Sequence, residues 1–526
     1  MPSHLAQTHA EVIARTLAER GVQYVFGLPG GEIVAFIDAC RRAGIRFLLT
    51  GHEASAALMA QVTGQITGVP GVCASTLGPG ATNLVTGVAN ALLDRAPMLA
   101  VTAQIPESAI GTMTHQRLDL HALFAPITKA SISIAQNTGS KVAHAMELAA
   151  APRPGPVHLS LASDVATQVS FSNSSARVVE TGKDVSVRRI EERLAVARRP
   201  LVLIGLGATP EMKAPIWFLI ERLRVPFLVT PKAKGIVSED HPLFLGVASG
   251  MAIDGDILET IRAADLVLAI GFDPVECDKT WFAKTEIVSI DSASMAEGDY
   301  RPVEAIGDIV RLVGELVVEA KPWPEELLES RRKAVRRQAA GSTADGLSPL
   351  RAIEELRAGF PRDGLVTCDV GSHKLLMGQF WPCYEPGTFF MSNGLSGMGF
   401  GIPAAIAAQL AFPERAVMAV VGDGGMLMMV HDLALIRELE LPIVMVVFVD
   451  RSLSLIRVSE SRRGMEPYGV DFRPPDFVGV AGAFGIGARR VSQITELKGC
   501  VERAVTERKP FLIEVPIDPR EYYELV

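Results

Sequence analysis

The 526-residue chain is sparing with cysteine, and its six cysteines (Cys40, Cys73, Cys277, Cys368, Cys383 and Cys500) form no CxxC pair. That argues against a disulfide-stapled or zinc-ribbon architecture and fits a reducing, cytoplasmic setting. A basic block is also missing: 51 lysines and arginines face 59 acids, a net charge of −8. Nucleic acid and acidic membrane surfaces are therefore not expected partners. No uninterrupted apolar run reaches the roughly 20 residues of a membrane helix. The opening MPSHLAQTHAEVIARTL lacks a charged stretch followed by an apolar core, so no signal peptide is expected. What is there is ordinary for a globular enzyme, 48% hydrophobic and 21% charged. The length allows two to four domains. Many apolar helical stretches predict large buried faces, contacts between subunits among them.

The most informative stretch runs from Val421 to Leu455, VGDGGMLMMVHDLALIRELELPIVMVVFVDRSLSL. The apolar run Ala416 to Val421 predicts a buried strand, and Gly422-Asp423-Gly424-Gly425 turns the chain. A helical pattern follows, with Leu433, Leu435, Ile436 and Leu439 on one side. Ile443 to Val449 predicts a second buried strand, ending at Asp450. In a parallel sheet both aspartates fall at strand carboxyl ends, where ligands sit. Two carboxylates beside a glycine turn suit a hard divalent cation such as magnesium. The free N–H groups of the turn and helix start suit phosphate oxygens. Alone, GDG equally fits an ordinary strand-to-helix turn with a solvated aspartate.

The rest of the chain alternates helix and strand. In residues 1–165 a helix from Ala10 to Arg20 precedes strands at Tyr24–Phe26, Phe47–Thr50, Gly71–Thr76 and Met98–Thr102. Between them lie the turn Gly27–Gly31, a small-residue helix Ala54–Gly64, and the loop Leu77–Gly80 leading into a helix from Ala81. Glu53, just before that small-residue helix, reads by itself as a helix-start carboxylate favoured by the dipole. Residues 166–187 are polar and aperiodic and read as a linker. A second unit, 188–320, has strands at Leu201–Ile204, Pro226–Val229, Leu266–Ile270 and Glu286–Ile290. Its Gly205, Gly207 and Ala208 read as a tight turn, an incomplete dinucleotide loop. Residues 321–345 read as a solvated helix and connector. The third unit, 348–526, opens with strand Leu365–Asp369. The turn after it, Gly371-Ser372-His373, alone reads as a capped helix start. Glycines 394, 397, 399 and 401 let the backbone pass close to something bulky; Met398 among them is commonly core filler. Phe511–Pro516 is the last strand, with a short acidic tail after it. The expected fold class is α/β, three doubly wound parallel-sheet domains.

In sequence order these motifs carry a family resemblance. GDG, twenty-five residues, then Asp450 resembles the diphosphate–magnesium motif of thiamine diphosphate (ThDP) enzymes. That family ends the motif in Asn-Asn, whereas this chain has Val449-Asp450. HEASAALMA resembles the family's His-Glu-x-x-Ala motif, and FGLPGGEI and STLGPGATN are similar to two further loops of its pyrimidine domain. The whole is similar to the acetolactate synthase and pyruvate oxidase type. THQ at 114–116 and PITK at 126–129 look closest to the catabolic, flavin-free acetolactate synthases.

The resemblance implies pyrimidine-binding, central and diphosphate-binding domains, and homodimers or homotetramers whose subunits share active sites. It implies that Glu53 shares a proton with the cofactor's aminopyrimidine, whose imino form then takes the proton from the thiazolium carbon. Gln116 and His115, and more remotely Lys129, would touch substrate. Met398 would be the apolar wedge that bends the cofactor. Pro29, Gly30, Thr76, Asn83, Gly371, Ser372, His373, Ser396, Met398, Gly422, Asp423, Gly424, Gly425 and Asp450 would line the cofactor. Asp423, Asp450 and Ser452, through its carbonyl, would hold Mg2+. FAD is not expected, although adenine-nucleotide binding by the central domain stays open. Arg462-Arg463 fits either a substrate anion or solvent. The implied activity is decarboxylation of a 2-oxo acid, pyruvate above all, with carboligation to a second carbonyl. Alternatives are a simple decarboxylase, a C–C lyase or hydrolase of hydroxyketones or diketones, a sulfoacetaldehyde acetyltransferase, and a ThDP-binding protein without catalysis.

Overall fold

The structure is a computed structural model that describes residues 7–170, 187–249, 252–276, 285–339 and 347–525. Among these residues the chain builds three six-stranded sheets, parallel throughout. The first contains β1 (Tyr24–Leu28), β2 (Arg46–Leu49), β3 (Gly71–Ser75), β4 (Met98–Gln104), β5 (Ala130–Ile134) and β6 (Pro156–Ala162). Its order is β2-β1-β3-β4-β6-β5. The second contains β7 (Pro200–Ile204), β8 (Phe227–Val229), β9 (Phe244–Val247), β10 (Leu266–Ile270), β11 (Ile287–Asp291) and β12 (Val303–Ile306), ordered β12-β11-β10-β7-β8-β9. The third contains β13 (Leu365–Cys368), β14 (Phe389–Met391), β15 (Val417–Gly422), β16 (Ile443–Val449), β17 (Gly487–Arg490) and β18 (Phe511–Pro516), ordered β14-β13-β15-β16-β18-β17. Counted within each sheet, the outer two share one strand order. The central sheet has the 3-2-1-4-5-6 order of dinucleotide-binding folds. The fold class is therefore α/β with three doubly wound parallel sheets, as expected.

The chain gathers into two compact units. One holds β1–β6 with residues 394–413 and 429–441; the other holds β7–β18. Strands flanked on both faces are continuous apolar runs, as β16 (IVMVVFV) and β10 (LVLAI) show; every residue of each is buried. The helix Glu53–Thr67 is buried nearly all round, which its run of alanines permits. It lies tightly on the helix Pro79–Leu93: a Cβ on Gly87 would overlap the Ala57 side chain. Replacing Gly87 by alanine would overpack this contact, at a typical cost of about 1–3 kcal/mol.

Four local expectations are corrected. The helical pattern after Asp423 is two helices, Asp423–Met428 and Asp432–Glu438, interrupted where His431 packs on Gly51. Residues 167–170 are not linker, since Gln168 and Ser170 pair by backbone hydrogen bonds with His9 and Gln7, and Val169 faces Thr8. The remainder of that stretch, 171–186, lies outside the described residues, as does Cys277. The helix Glu325–Ala339 is anchored: Trp323 is buried and donates Nε1–H to the Pro200 carbonyl at 2.7 Å, and Leu328 is buried too. The tail is docked as well, with Glu521 and Tyr522 buried and the Ser348 hydroxyl donating to Glu521 at 2.8 Å. The five described cysteines are free and buried. Among the described residues no helix is long and apolar enough to cross a membrane.

Candidate active site

In the first unit, β2 ends at Leu49 and the chain turns through Gly51-His52 into the helix that begins at Glu53. His52 is extended, and its Nδ1 accepts the Ala54 N–H at 3.0 Å. The ring therefore caps the helix and carries its proton on Nε2. Glu53 is only 4% exposed. Asn83 Nδ2, from the neighbouring helix, donates to Glu53 Oε2 at 2.9 Å. The other oxygen faces Gly80, where a Cβ would lie 3.2 Å from Oε1. Gln116 adopts a positive φ of 56°. Its side chain rests on Gly78, whose own φ of +60° and Cβ-to-Gln116 distance of 3.0 Å both call for glycine. Glu53, Asn83, Gly78, Gly80 and Gln116 thus form one contiguous set.

Beside that set, Gly30 approaches Thr76 so closely that a Cβ would fall 2.5 Å from its Cβ and Oγ1. Thr76 Oγ1 donates to Glu32 Oε2 at 2.8 Å. Glu32 lies inside the quoted FGLPGGEI motif but carried no assigned role. Pro29 and His115 are exposed. Lys129 is committed elsewhere: its amine donates to the Ala151 carbonyl at 3.1 Å, at a helix C-terminus. In residues 394–413, Gly394 N–H donates to the Asp94 carboxylate at 2.9 Å. Beyond it Ser396 is exposed with φ +55°, and Met398 is half-buried.

In the second unit the strand ends of β13, β15 and β16 meet. Asp423 is buried; it accepts the N–H groups of Gly424 and Arg451, each at 2.8 Å. Burial, and then the charge of Asp450, pushes the Asp423 carboxyl up to about 7. Burial also raises Asp450, whose Oδ1 accepts the Ser452 N–H at 3.2 Å. The Ser452 hydroxyl turns to the Val470 carbonyl at 3.3 Å. After β13, Gly371 leads into the nine-residue helix Ser372–Phe380. Ser372 Oγ and His373 Nε2 are buried without a hydrogen-bond partner. Burial pushes the His373 ring down to about 4, so it is neutral at pH 7. Gly422 lies against that ring, with a Cβ-to-Cε1 distance of 3.3 Å. Asp369, which had drawn no assignment, presses on Gly425 so that no side chain fits there. Arg462 donates to the Tyr523 carbonyl at 3.3 Å.

Buried polar atoms without partners ask for a ligand. An orphaned hydroxyl and imidazole nitrogen at a helix start, beside the open turn after Asp423, fit phosphate oxygens. Among the described residues no group of three or more His, Cys, Asp or Glu side chains could hold a metal. Two carboxylates therefore fit an ion that completes its shell with carbonyl, phosphate and water oxygens, as magnesium does.

Strand ends furnished in this way define an α/β protein that takes a phosphorylated cofactor. Residues 7–123 match the N-terminal TPP binding domain of thiamine pyrophosphate enzymes, residues 187–316 their central domain, and residues 369–515 their C-terminal TPP binding domain. The chain is 31% identical to the probable acetolactate synthase large subunit of Methanocaldococcus jannaschii, over 98% of this chain and 93% of the relative. It is 32% identical to the acetolactate synthase of Bacillus subtilis, over 98% and 96%. A catabolic acetolactate synthase from Raoultella terrigena is 29% identical over 97% and 95%. The chain belongs to the thiamine pyrophosphate enzyme family, in its acetolactate synthase branch.

Proposed function

We propose that this enzyme decarboxylates a 2-oxo acid, with pyruvate the leading candidate, and joins the remaining two-carbon unit to a second carbonyl, using ThDP and Mg2+. The observation that carries the reading is Glu53: a buried carboxylate at a helix start, held by Asn83, in a region matching the N-terminal TPP binding domain. Bound ThDP supplies the carbon nucleophile and electron sink for C–C cleavage. Glu53 holds and exchanges a proton in a site with little water. Ser372, His373 and the Gly425 N–H take the diphosphate, joined by the Gly424 N–H once the Asp423 carboxylate that now accepts it turns to the metal. Asp423, Asp450 and the Ser452 carbonyl hold the metal. Asp450 stands where the family has Asn; its charge favours the cation and opposes the diphosphate. Gln116 orients substrate beside Glu53, and Met398 supports the cofactor rings.

The same reading makes the enzyme a homo-oligomer in which one copy supplies Glu53 and another the metal site. Exposed apolar side chains support it on both units: Ile110, Met113 and Leu118 on one, Leu427, Met428 and Ile456 on the other. The three-domain division at 1–165, 188–320 and 348–526 is part of the same proposal. A panel of 2-oxo acids and aldehydes, with products identified by mass spectrometry, tests it. Acetolactate from pyruvate alone is the expected product. No consumption of any 2-oxo acid by the ThDP- and Mg2+-loaded protein would sink the proposal.

A further inference from the structure

The central sheet has the strand order of nucleotide-binding folds, and its switch point falls between β7 and β10. Ligands of such folds lie in the crevice between the two loops that leave those strands, with phosphate oxygens on the N–H groups of the first turn. Here that crevice is shut. Gly205 N–H donates to the Ile270 carbonyl at 2.9 Å, and Gly207 N–H to the Gly271 carbonyl at 2.7 Å. The two loops touch backbone to backbone: a Cβ on Gly205 would stand 2.5 Å from Phe272 Cα, and one on Gly271 2.6 Å from the Ala208 nitrogen. Between them sits Glu276, 4% exposed. Its Oε2 accepts the Leu206 N–H at 2.8 Å and the Thr230 hydroxyl, at the end of β8, at 2.7 Å. Its Oε1 is buried without a hydrogen-bond partner, and burial pushes the carboxyl up to about 7, so that it holds a proton for much of the time near neutral pH. Its backbone carbonyl accepts Asn393 Nδ2 at 3.0 Å.

We propose that the Glu276 carboxyl occupies the phosphate position of the central domain, so that this domain takes no flavin, nicotinamide or adenine nucleotide at its switch point. A nucleotide phosphate would have to displace the carboxylate from both donors. The buried acid would then lose both donors beside an incoming anion. The loops would also have to part, against contacts that leave no room for a Cβ. The turn at Gly205–Ala208 keeps the form of a dinucleotide loop while its recognition groups serve the domain itself. This does not depend on the catalytic reading, because none of these residues belongs to the proposed active site.

The test is calorimetric titration of the full-length protein, saturated with ThDP and Mg2+, with FAD and separately with ADP. Wild type is expected to show no saturable binding of either up to about 1 mM. Glu276→Ala and Glu276→Ser, which remove the carboxylate, are expected to bind ADP at least about tenfold more tightly than the wild-type limit. Stoichiometric binding of FAD or ADP by wild type overturns the proposal whatever the variants do. Folded variants that bind ADP no better than wild type overturn it too.

Discussion

Two buried glutamates sit at strand ends of different parallel sheets in this chain, and their partners set them apart. Glu53 has a single side-chain donor on one oxygen and a glycine beside the other. Glu276 has a backbone N–H and a hydroxyl on the same oxygen, inside loops that touch each other. The sheet with the nucleotide-binding strand order is the one whose crevice is closed. Strand order thus provides the place for a site, and the side chains that converge there decide whether it is offered to a ligand or used for cohesion.

The sharpest way to break this comparison is to neutralise each acid in turn. Glu53→Gln is expected to lower kcat about 1,000-fold, within the range of general acid–base contributions, while ThDP still binds by calorimetry. Glu276→Gln is expected to leave kcat within about threefold and to lower the unfolding free energy by about 1–2 kcal/mol in urea. The reverse pattern would mean that the two roles are wrongly assigned. Next in size is Asn83→Ala. Losing a hydrogen bond to a charged group, worth about 1.5 kcal/mol, should lower kcat about tenfold without unfolding the helix pair. An unchanged kcat would show that Asn83 does not orient Glu53.

A third buried acid sharpens the contrast through pH. Asp432 is fully buried, accepts the Ser55 hydroxyl at 2.8 Å, and is pushed by burial up to about 7. Its folded value lies above the unfolded one near 4, so the native state holds its proton more tightly. Stability should therefore fall as pH rises from about 4 to about 7 and level off above. Asp432→Asn should shrink the difference in unfolding free energy between pH 5 and pH 8 by roughly 1–3 kcal/mol. His158 acts with the opposite sign: burial drives it down to about 3, and stability is lost as pH falls through its unfolded value near 6.5. The comparison of variant with wild type at each pH isolates the Asp432 part. An unaltered difference would show that Asp432 does not titrate in this window.

Much of this molecule was legible in its residues, for a physical reason. A strand covered on both faces must be continuously apolar, so β10 and β16 could be read to the residue. Edge strands escape that demand, and β5 (ASISI) and β17 (GARR) were missed among polar residues. β6 was missed because buried His158 and Ser160 interrupt its apolar run. His158 is matched by Thr102 and Ser131 on the strands beside it, at 2.8 and 2.7 Å. Both partners of the Glu53–Asn83 contact lay in the quoted motifs, but their meeting, 30 residues apart, depends on two helices packed through alanine and glycine.

By itself the sequence determined the α/β class, the glycine turns and the order of chemistry-bearing residues along the chain, because these follow from local periodicity and backbone freedom. Only the tertiary structure decided which acids are buried and what they touch. Glu276 in its PVE turn looks like any solvated glutamate until Leu206, Thr230 and Asn393 arrive from three distant segments, and the partners of a buried carboxyl are set by such non-local packing.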